Sequence, residues 1–276
     1  VRKPMVAVPN HLIEQIAREV KALYPTAKVL MASREDATKE RRRAFAAKIA
    51  TGDWDLVVLA HSTFTAIPVS AAAETEWING QLVDYREALL AQGDAGNKGA
   101  RTFKAIQQAA AKLEQRLIEL RDKPVDEGVR FEQLGVDYLF IDECHMHKNL
   151  HTESRSQALS VKGSKRASDL DMKLWLLRRA GRKRVATLLT GTPVSNTLAE
   201  MFVLQRYLSP GRLRHLDLHM FDAWAAMFVE FEAKVEVAPD GGTFRVHRRP
   251  SRFCNVAELL GEFAEVADVR GRDDIG

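Results

Sequence analysis

The fold is decided by residues 136–149, which read VDYLFIDECHMHKN. An almost unbroken run of apolar and β-favouring residues ends at two adjacent carboxylates, Asp142 and Glu143, and His145 follows after one small residue. Strands inside a parallel sheet are buried on both faces, so they are hydrophobic at nearly every position, as this run is. Ligands of open α/β sheets bind just beyond the carboxyl ends of the strands, so the two carboxylates are expected to face a ligand.

Two neighbouring carboxylates at a strand end suit the handling of a metal-bound nucleotide. Mg²⁺ prefers oxygen ligands and keeps several of its waters, so Asp142 can hold the ion directly or through water. Glu143 points elsewhere and can orient or deprotonate an attacking water. An Asp-Glu pair is also typical of an ordinary acidic turn, and the pair alone does not decide between the two interpretations.

A second stretch makes the pattern more specific. Residues 185–196, VATLLTGTPVSN, form another hydrophobic strand that runs into Thr-Gly-Thr-Pro, and an amphipathic helix follows. At this point the chain resembles the superfamily 2 helicases and translocases, in particular the Swi/Snf-like ATPases. Asp142–His145 is similar to their Asp-Glu-x-His box, and Thr190–Pro193 with Asn196 is similar to their third motif. More closely, the chain resembles the helicase segment of large bacterial, phage or plasmid proteins that join such a motor to an adenine DNA methylase.

The resemblance implies both a fold and a nucleotide chemistry. The fold is a RecA-like α/β lobe of the P-loop NTPase type, a parallel sheet with crossover helices from which the phosphate-loop strand is missing. The implied cofactors are ATP and Mg²⁺, with Asp142 as the metal ligand and Glu143 as the residue that activates water. His145, Thr190 and Thr192 would relay the nucleotide state to DNA-binding loops. The nucleotide contacts implied in this way are Asp142, Glu143, Thr190 and Thr192.

Duplex DNA is the partner that the resemblance implies, with a second RecA-like lobe and a methylase domain in the full-length protein. Amides and small hydroxyls in the loops after the strands can grip phosphates without reading sequence. The residues to which the resemblance gives this role are Pro9, Asn10, Ser62, Thr63, Lys148, Asn149 and Arg155. The alternative is structural, with Pro9 and Asn10 in a strand-to-helix turn and Ser62 and Thr63 in a helix cap.

The order of apolar segments supports an α/β fold independently of the resemblance. Strands are predicted near residues 5–8, 28–31 and 55–60, and helices are predicted after the first two. Strand, helix, strand, helix, strand is the pattern of a parallel sheet with crossover helices.

The resemblance, together with composition and periodicity, predicts three parts of the chain. They are a partial RecA-like lobe at 1–72 and 124–210, an insertion at 73–123, and a C-terminal extension at 211–276. The insertion carries two heptad-like stripes on either side of a Gly-rich turn at 93–99, which predicts an antiparallel coiled-coil hairpin. Two ordinary helices that pack on the sheet are an equal alternative. The extension is predicted to contain a β-hairpin that turns near 240–242.

Two further clusters leave alternatives open. His145, His147 and His151 lie near Asp142, which would suit a metal-dependent hydrolase, although the spacing is not that of a structural zinc site. In the helicase interpretation, His147 and His151 are instead expected in solvent or near DNA. The segment 154–184 is rich in lysine and arginine and is either a solvated face or a phosphate-contacting surface.

Composition is ordinary for a globular protein. The chain has 276 residues, 46% of them hydrophobic and 28% charged, with a net charge of +4 that mildly favours a polyanionic partner. Its two cysteines lie far apart without CxxC spacing, which favours a reducing, cytoplasmic setting. No apolar run approaches the roughly 20 residues needed to cross a bilayer, so no membrane partner is expected.

One part of the expected machinery is missing from the sequence. There is no Gly-x-x-x-x-Gly-Lys-Ser/Thr, the loop whose amides and lysine hold the β and γ phosphates. The chain also begins at Val1, close to its first strand, and we expect it to be a piece of a larger protein. The predicted function is therefore part of a DNA-dependent ATPase that moves on or remodels DNA, inactive by itself. The alternative is a catalytically dead RecA-like scaffold that binds DNA or protein.

Overall fold

The computed structural model describes most of the chain. The described residues are 1–33, 36, 38–93, 100–121, 128–152, 154, 159–237 and 244–271. They divide into two compact units, the first formed by 1–86, 110–148 and 164–193, and the second by 87–109, 149–163 and 194–276.

A five-stranded parallel sheet forms the centre of the first unit. Its strands are β1 (Pro4–Val8), β2 (Val29–Met31), β3 (Leu56–Ala60), β4 (Tyr138–Ile141) and β5 (Ala186–Leu188). Their order across the sheet is β2-β3-β1-β4-β5, and every neighbouring pair is parallel. The predicted α/β fold with a parallel sheet is confirmed, and the arrangement is consistent with a RecA-like fold.

Burial differs between the strands in a way that the sequence did not predict. All five residues of β3 are buried, as expected for a strand covered on both faces. In β4, only Leu139 and Ile141 are buried, while Tyr138 and Phe140 are half-buried. The Tyr138 hydroxyl lies 2.8 Å from the Thr187 hydroxyl on β5. The interpretation of β4 as buried at nearly every position is therefore wrong, because one face of this strand is only partly covered.

Helices connect and flank these strands. They are α1 (Ile13–Leu23), α2 (Lys39–Thr51), α3 (His61–Ala66), α4 (Ala71–Gly93), α5 (Ala100–Arg121) and α6 (Lys165–Arg179). Helices α1 and α2 are the predicted crossovers between β1, β2 and β3. Helix α1 packs its apolar side on the sheet, where Ile13 is buried with Val8 and Val58.

The segment predicted as an insertion consists largely of the two long helices α4 and α5. Ile78, Leu82 and Leu120 form a buried apolar cluster between them, and Arg116 pairs with Glu74 at 2.9 Å. Of the predicted turn at 93–99, residues 94–99 lie outside the described residues. Residues 71–86 and 110–121 belong to the same compact unit as the sheet. That residues 73–123 form an insertion separate from the lobe stays a prediction.

The second unit is built around an aromatic cluster. Its elements are α7 (Ala199–Leu208), α8 (Pro210–His215), α9 (Phe221–Phe228), β6 (Val229–Val237), β7 (Phe244–Phe253) and α10 (Val256–Ala264). Trp224 is fully buried beside Phe202 and Phe228, and its indole N–H donates to the Gln205 side chain at 2.7 Å. Strands β6 and β7 pair antiparallel, as predicted, although the turn at 240–242 lies outside the described residues. No helix in the described part of the chain is long and apolar enough to span a membrane.

Candidate functional site

The two carboxylates predicted from the sequence lie directly after β4. The Asp142 backbone N–H donates to the Ala7 carbonyl at 3.0 Å, and the Cys144 N–H donates to the Leu189 carbonyl at 2.8 Å. The loop is thus fixed to β1 and to the residue that directly follows β5. Glu143 adopts a left-handed conformation, with φ 46° and ψ 48°, which costs a residue with a side chain roughly 1–2 kcal/mol. The hydrogen bonds on either side hold this sharp turn, which directs Glu143 away from the path of the strand.

A short hydrogen-bonded chain joins this loop to the loop after β5. His145 Nδ1 lies 3.0 Å from a Glu143 carboxylate oxygen and 3.4 Å from the Thr190 hydroxyl. The Thr190 hydroxyl oxygen also accepts the Thr192 backbone N–H at 3.0 Å. A carboxylate can only accept, so His145 carries its proton on Nδ1. The structure therefore brings together four of the predicted site residues, which come from two separate stretches of sequence.

The Glu143 and His145 side chains remain open to water. About 44% of the Glu143 side chain and 37% of the His145 side chain are exposed, so a small ligand or a water can reach both. Cys144 between them is buried, and burial, followed by the charge of Glu143, raises the pKa of its thiol to about 12. Cys144 therefore stays protonated and acts as a small packing residue in this loop.

Behind the loop lies a histidine pair that the sequence did not predict. His147 is fully buried, and its Nε2 lies 3.2 Å from His61 Nδ1, while its Nδ1 lies 3.3 Å from the Arg166 carbonyl. A carbonyl only accepts, so His147 donates from Nδ1 and accepts the His61 proton at Nε2. The expectation that His147 is solvated or near DNA is wrong. Its ring instead links the loop after β4 to His61 at the start of α3.

Burial keeps this pair neutral. It lowers the pKa of His61 to about 4, with the Arg166 charge acting in the same direction and Asp142 opposing it. Burial also lowers the pKa of His147 to about 3, helped by His61, Arg166 and Lys173. Two neutral rings can share one hydrogen bond, whereas protonation of either one removes an acceptor or places a charge in a buried site.

Acid is expected to destabilise the fold through this pair. Both pKa values are lower in the folded chain than the ordinary value of about 6.5, so the unfolded chain binds these protons first. The stabilisation is complete above about pH 6.5 and is lost as the pH falls towards 4, by up to about 1.4 kcal/mol per pH unit for each histidine. Urea unfolding at several pH values measures this loss of stability in the wild type and in His61→Gln/His147→Gln. Equal acid sensitivity in both proteins would contradict the assignment.

The histidines do not assemble into the metal site considered as an alternative. His145 contacts Glu143 and Thr190, and the His151 Nδ1–H donates to the Val161 carbonyl at 3.2 Å. Within the described residues, none of these histidines belongs to a group of three side chains placed to hold a metal ion. The structure therefore gives no support to a histidine-based hydrolase.

The residues predicted to contact phosphates differ in burial and in secondary structure. Pro9 is half-buried and Asn10 is exposed where β1 ends, and the Pro9 carbonyl accepts the Leu12 N–H at 2.9 Å, which makes the strand-to-helix turn. Ser62 is exposed, but Thr63 is buried. Both lie inside α3, whose preceding residue is Ala60, so the helix-cap alternative for Ser62 and Thr63 is wrong.

The remaining predicted contacts fall on different parts of the chain. Lys148 is half-buried in the first unit, while Asn149 is exposed and belongs to the second unit. Arg155 lies outside the described residues. Strands β1, β3 and β4 are adjacent and parallel, so Asn10, Ser62 and Lys148 all follow strands at the same edge of the sheet.

The basic segment 154–184 contains one lysine that is neither solvated nor available to phosphate. Lys173 is completely buried, donates to the Phe64 carbonyl and to an Asp169 carboxylate oxygen at 2.7 Å, and lies 4.1 Å from the centre of the Phe64 ring. It therefore ties α6 to the residues that follow β3. The four-residue spacing between Asp169 and Lys173 is the sequence signal for this pair. No comparable pattern in the sequence predicts the hydrogen bond between His61 and His147.

Comparison with known proteins places the chain in a family. A family model described as a probable helicase domain matches residues 1–271. A search of curated proteins found no match to the chain.

Proposed function

The chain belongs to this family of helicase domains, and on that premise we propose that it is the first lobe of a superfamily 2 DNA-dependent ATPase of the Swi/Snf-like branch. The intact protein would use ATP and Mg²⁺ to translocate on or remodel duplex DNA, together with a second lobe and a linked DNA methylase. The observation that carries the proposal is the contact chain from Glu143 through His145 to Thr190. It joins the two loops that such a motor needs to act together.

The residues present suit a hard metal ion and a nucleotide. Asp142 and Thr190 are half-buried and Glu143 is partly exposed, and together they offer carboxylate and hydroxyl oxygens, the donors that Mg²⁺ prefers. Asp142 would be the metal ligand, and bound Mg²⁺ would supply neutralisation of phosphate charge. Glu143, held beside His145, would orient a water and take its proton. Thr190 and Thr192 would sense the state of the nucleotide, because the Thr192 backbone N–H donates to the Thr190 hydroxyl, which also lies beside His145.

The phosphate-contacting surface is proposed to lie at the same edge of the sheet. Asn10 and Ser62 are exposed after β1 and β3, Pro9 directly precedes Asn10, and Lys148 and Asn149 follow β4 along the chain. The His61–His147 hydrogen bond gives the Asp142–His147 loop a direct contact with α3, which carries Ser62. A structural change at the nucleotide would in this way be transmitted to Ser62, the residue proposed to contact phosphate.

ATP hydrolysis by a longer protein, which adds a phosphate loop and a second lobe, tests the proposal. Turnover that rises with duplex DNA supports a motor. A second candidate, a RecA-like scaffold without chemistry, is favoured by the lack of a Gly-x-x-x-x-Gly-Lys-Ser/Thr sequence in the chain. Absence of turnover with salt-sensitive DNA binding intact would favour that scaffold.

The 276-residue chain by itself is expected not to hydrolyse ATP. It lacks the loop that holds the β and γ phosphates, and hydrolysis of this kind depends on positioning and charge neutralisation. Phosphate release from the purified chain, compared with its Glu143→Gln variant, checks the expectation. Appreciable turnover that disappears in the variant would show that the chain carries a complete site.

A further inference from the structure

The histidine pair behind the carboxylate loop leaves one ring nitrogen without a partner. His61 is only 3% exposed, and its Nε2 is buried and completes no hydrogen bond with any residue that the structure describes. A buried polar atom that forms no hydrogen bond carries the full cost of its lost hydration. Such atoms are rare in folded proteins, and their explanations include a water, an ion or a role in catalysis. The His61 nitrogen therefore marks a place where a further group is expected.

The hydrogen bonds of the pair determine what that group must offer. The Arg166 carbonyl accepts from His147 Nδ1, so His147 Nε2 carries no proton and accepts from His61 Nδ1. Burial lowers the pKa of His61 to about 4, so the ring is neutral near neutral pH and has a single N–H. His61 Nε2 is therefore a bare acceptor, and the group that it lacks is a donor.

Asp142, the proposed metal ligand, lies beside this acceptor. His61 directly follows β3 and Asp142 directly follows β4, and these two strands flank β1. Burial and the Arg166 charge lower the pKa of His61, whereas the Asp142 carbonyl and carboxylate act to raise it, as oxygens close to the ring do. These Asp142 oxygens are acceptors as well, so they cannot supply the missing donor.

The backbone next to His61 does not supply a donor either. The pairing of Val8 with Ala60 places Pro9 level with His61, and proline has no backbone N–H. The Asp142 N–H already donates to the Ala7 carbonyl. Acceptors thus lie close together, and a water molecule is the smallest group that can donate to two of them. Buried waters typically satisfy polar atoms that have no other partner.

A water at this place would belong to the hydration shell of the proposed metal ion. Mg²⁺ usually keeps several of its waters and is held by only one or two carboxylates. The hydrogens of those waters need acceptors. A direct bond from His61 to the ion is disfavoured, because Mg²⁺ prefers oxygen ligands. Within the described part of the chain, His61 also belongs to no group of three side chains that could hold a metal ion.

We propose that His61 is a positioning residue of the metal site, and that its Nε2 accepts a hydrogen bond from a water bound to the Mg²⁺ ion at Asp142. The His147 hydrogen bond holds the ring in the tautomer that can accept. The inference rests on the proposed function, because it takes its ion from that site. It gives a reason for a histidine, instead of an apolar residue, at a buried position directly after β3.

Binding of Mn²⁺ to the purified 276-residue chain, followed by the electron paramagnetic resonance of the free ion, tests the proposal. His61→Phe keeps an aromatic ring and removes both nitrogens, and it is expected to weaken binding by about 10–100-fold, the usual effect of losing an outer partner of a metal site. Asp142→Asn should weaken binding at least as much. Thr65→Val is the matched control on α3, because it removes a hydrogen bond to the His61 carbonyl and leaves the imidazole in place. It should bind Mn²⁺ as tightly as the wild type.

NMR of ¹⁵N-labelled histidine rings provides a second measurement that does not depend on the folding of His61→Phe. In the wild type, His61 Nε2 is expected to be the nitrogen without a proton, and its signal should move when Mg²⁺ is added. The same addition should leave the signal in place in Asp142→Asn. A purely structural role of His61 would not produce this shift. Circular dichroism checks that each variant is folded.

The results separate failure of the inference from failure of the proposed function. If Asp142→Asn binds Mn²⁺ as tightly as the wild type, Asp142 is not the metal ligand, and that part of the proposed function falls together with the inference. If Asp142→Asn loses binding but His61→Phe does not, or the Nε2 signal ignores Mg²⁺, the metal site stands and the inference is overturned. A proton on His61 Nε2 in the wild type would also overturn the inference, because that nitrogen could not accept.

Discussion

Glu143→Gln is expected to lower DNA-stimulated ATP hydrolysis by about 10²–10⁴-fold, the usual contribution of a positioned general base, in a longer protein that includes a phosphate loop and a second lobe. Glutamine keeps the size of the side chain but cannot take a proton from water. The turn that places Glu143 is held by backbone hydrogen bonds of its neighbours Asp142 and Cys144. The variant should therefore fold and bind nucleotide while failing in the chemical step.

The effect should appear in kcat and leave the affinity for ATP close to that of the wild type. Glu14→Gln, an exposed change in the first turn of α1, is the matched control and should retain full activity. Turnover that survives Glu143→Gln would remove this residue from the role of base. Asp142, the other carboxylate of the loop, would then be the next candidate for the base.

Much of the fold could be predicted from the sequence because the apolar segments are continuous and correctly spaced. The strand ending at Ile141 and the helix from Ile13 to Leu23 both follow directly from hydrophobic pattern. The same pattern overstated the burial of β4, since a hydrophobic run does not reveal that one of its faces is only partly covered. The two compact units were also not predicted, because residues 149–163 join the C-terminal residues through contacts distant in sequence.

The candidate residues came from motifs in the sequence, whereas the contacts that hold their loop could not be predicted from it. Motifs identified Asp142, Glu143 and Thr190, since spacing and strand ends can be read along the chain. The contact of His147 with His61 joins residues 86 positions apart, and no local pattern carries that information. A histidine in a polar-looking stretch is assigned to solvent by default, and only the packing shows that this one is buried.

Lys173→Met is expected to lower the free energy of unfolding by about 3–5 kcal/mol, the usual cost of leaving one partner of a buried ion pair alone. Lys173 has no exposed surface, and its ammonium contacts the Asp169 carboxylate and the Phe64 carbonyl. Methionine fills a similar volume, so the loss comes from the stranded carboxylate and the unpaired carbonyl. Urea unfolding followed by circular dichroism measures it.

Arg179→Met is the matched control on the same helix. Arg179 pairs with Glu76, and about half of each side chain is exposed; such surface pairs contribute only about 0–1 kcal/mol. Lys173→Met/Asp169→Asn removes both charges, so its stability should lie nearer to that of the wild type than the stability of Lys173→Met does.

The pH dependence of Lys173→Met provides an independent check on the cause. Burial already raises the pKa of Asp169 to about 6, against the opposing charge of Lys173. Without the Lys173 charge the pKa of Asp169 rises further, so at low pH the folded variant holds a neutral Asp169 carboxyl group. Burying a neutral carboxyl group costs less free energy than burying a carboxylate. The loss of stability should therefore be larger at about pH 8 than at about pH 5. An equal loss at both values would mean that packing, and not the stranded charge, is what Lys173 contributes to the junction of α6 with α3.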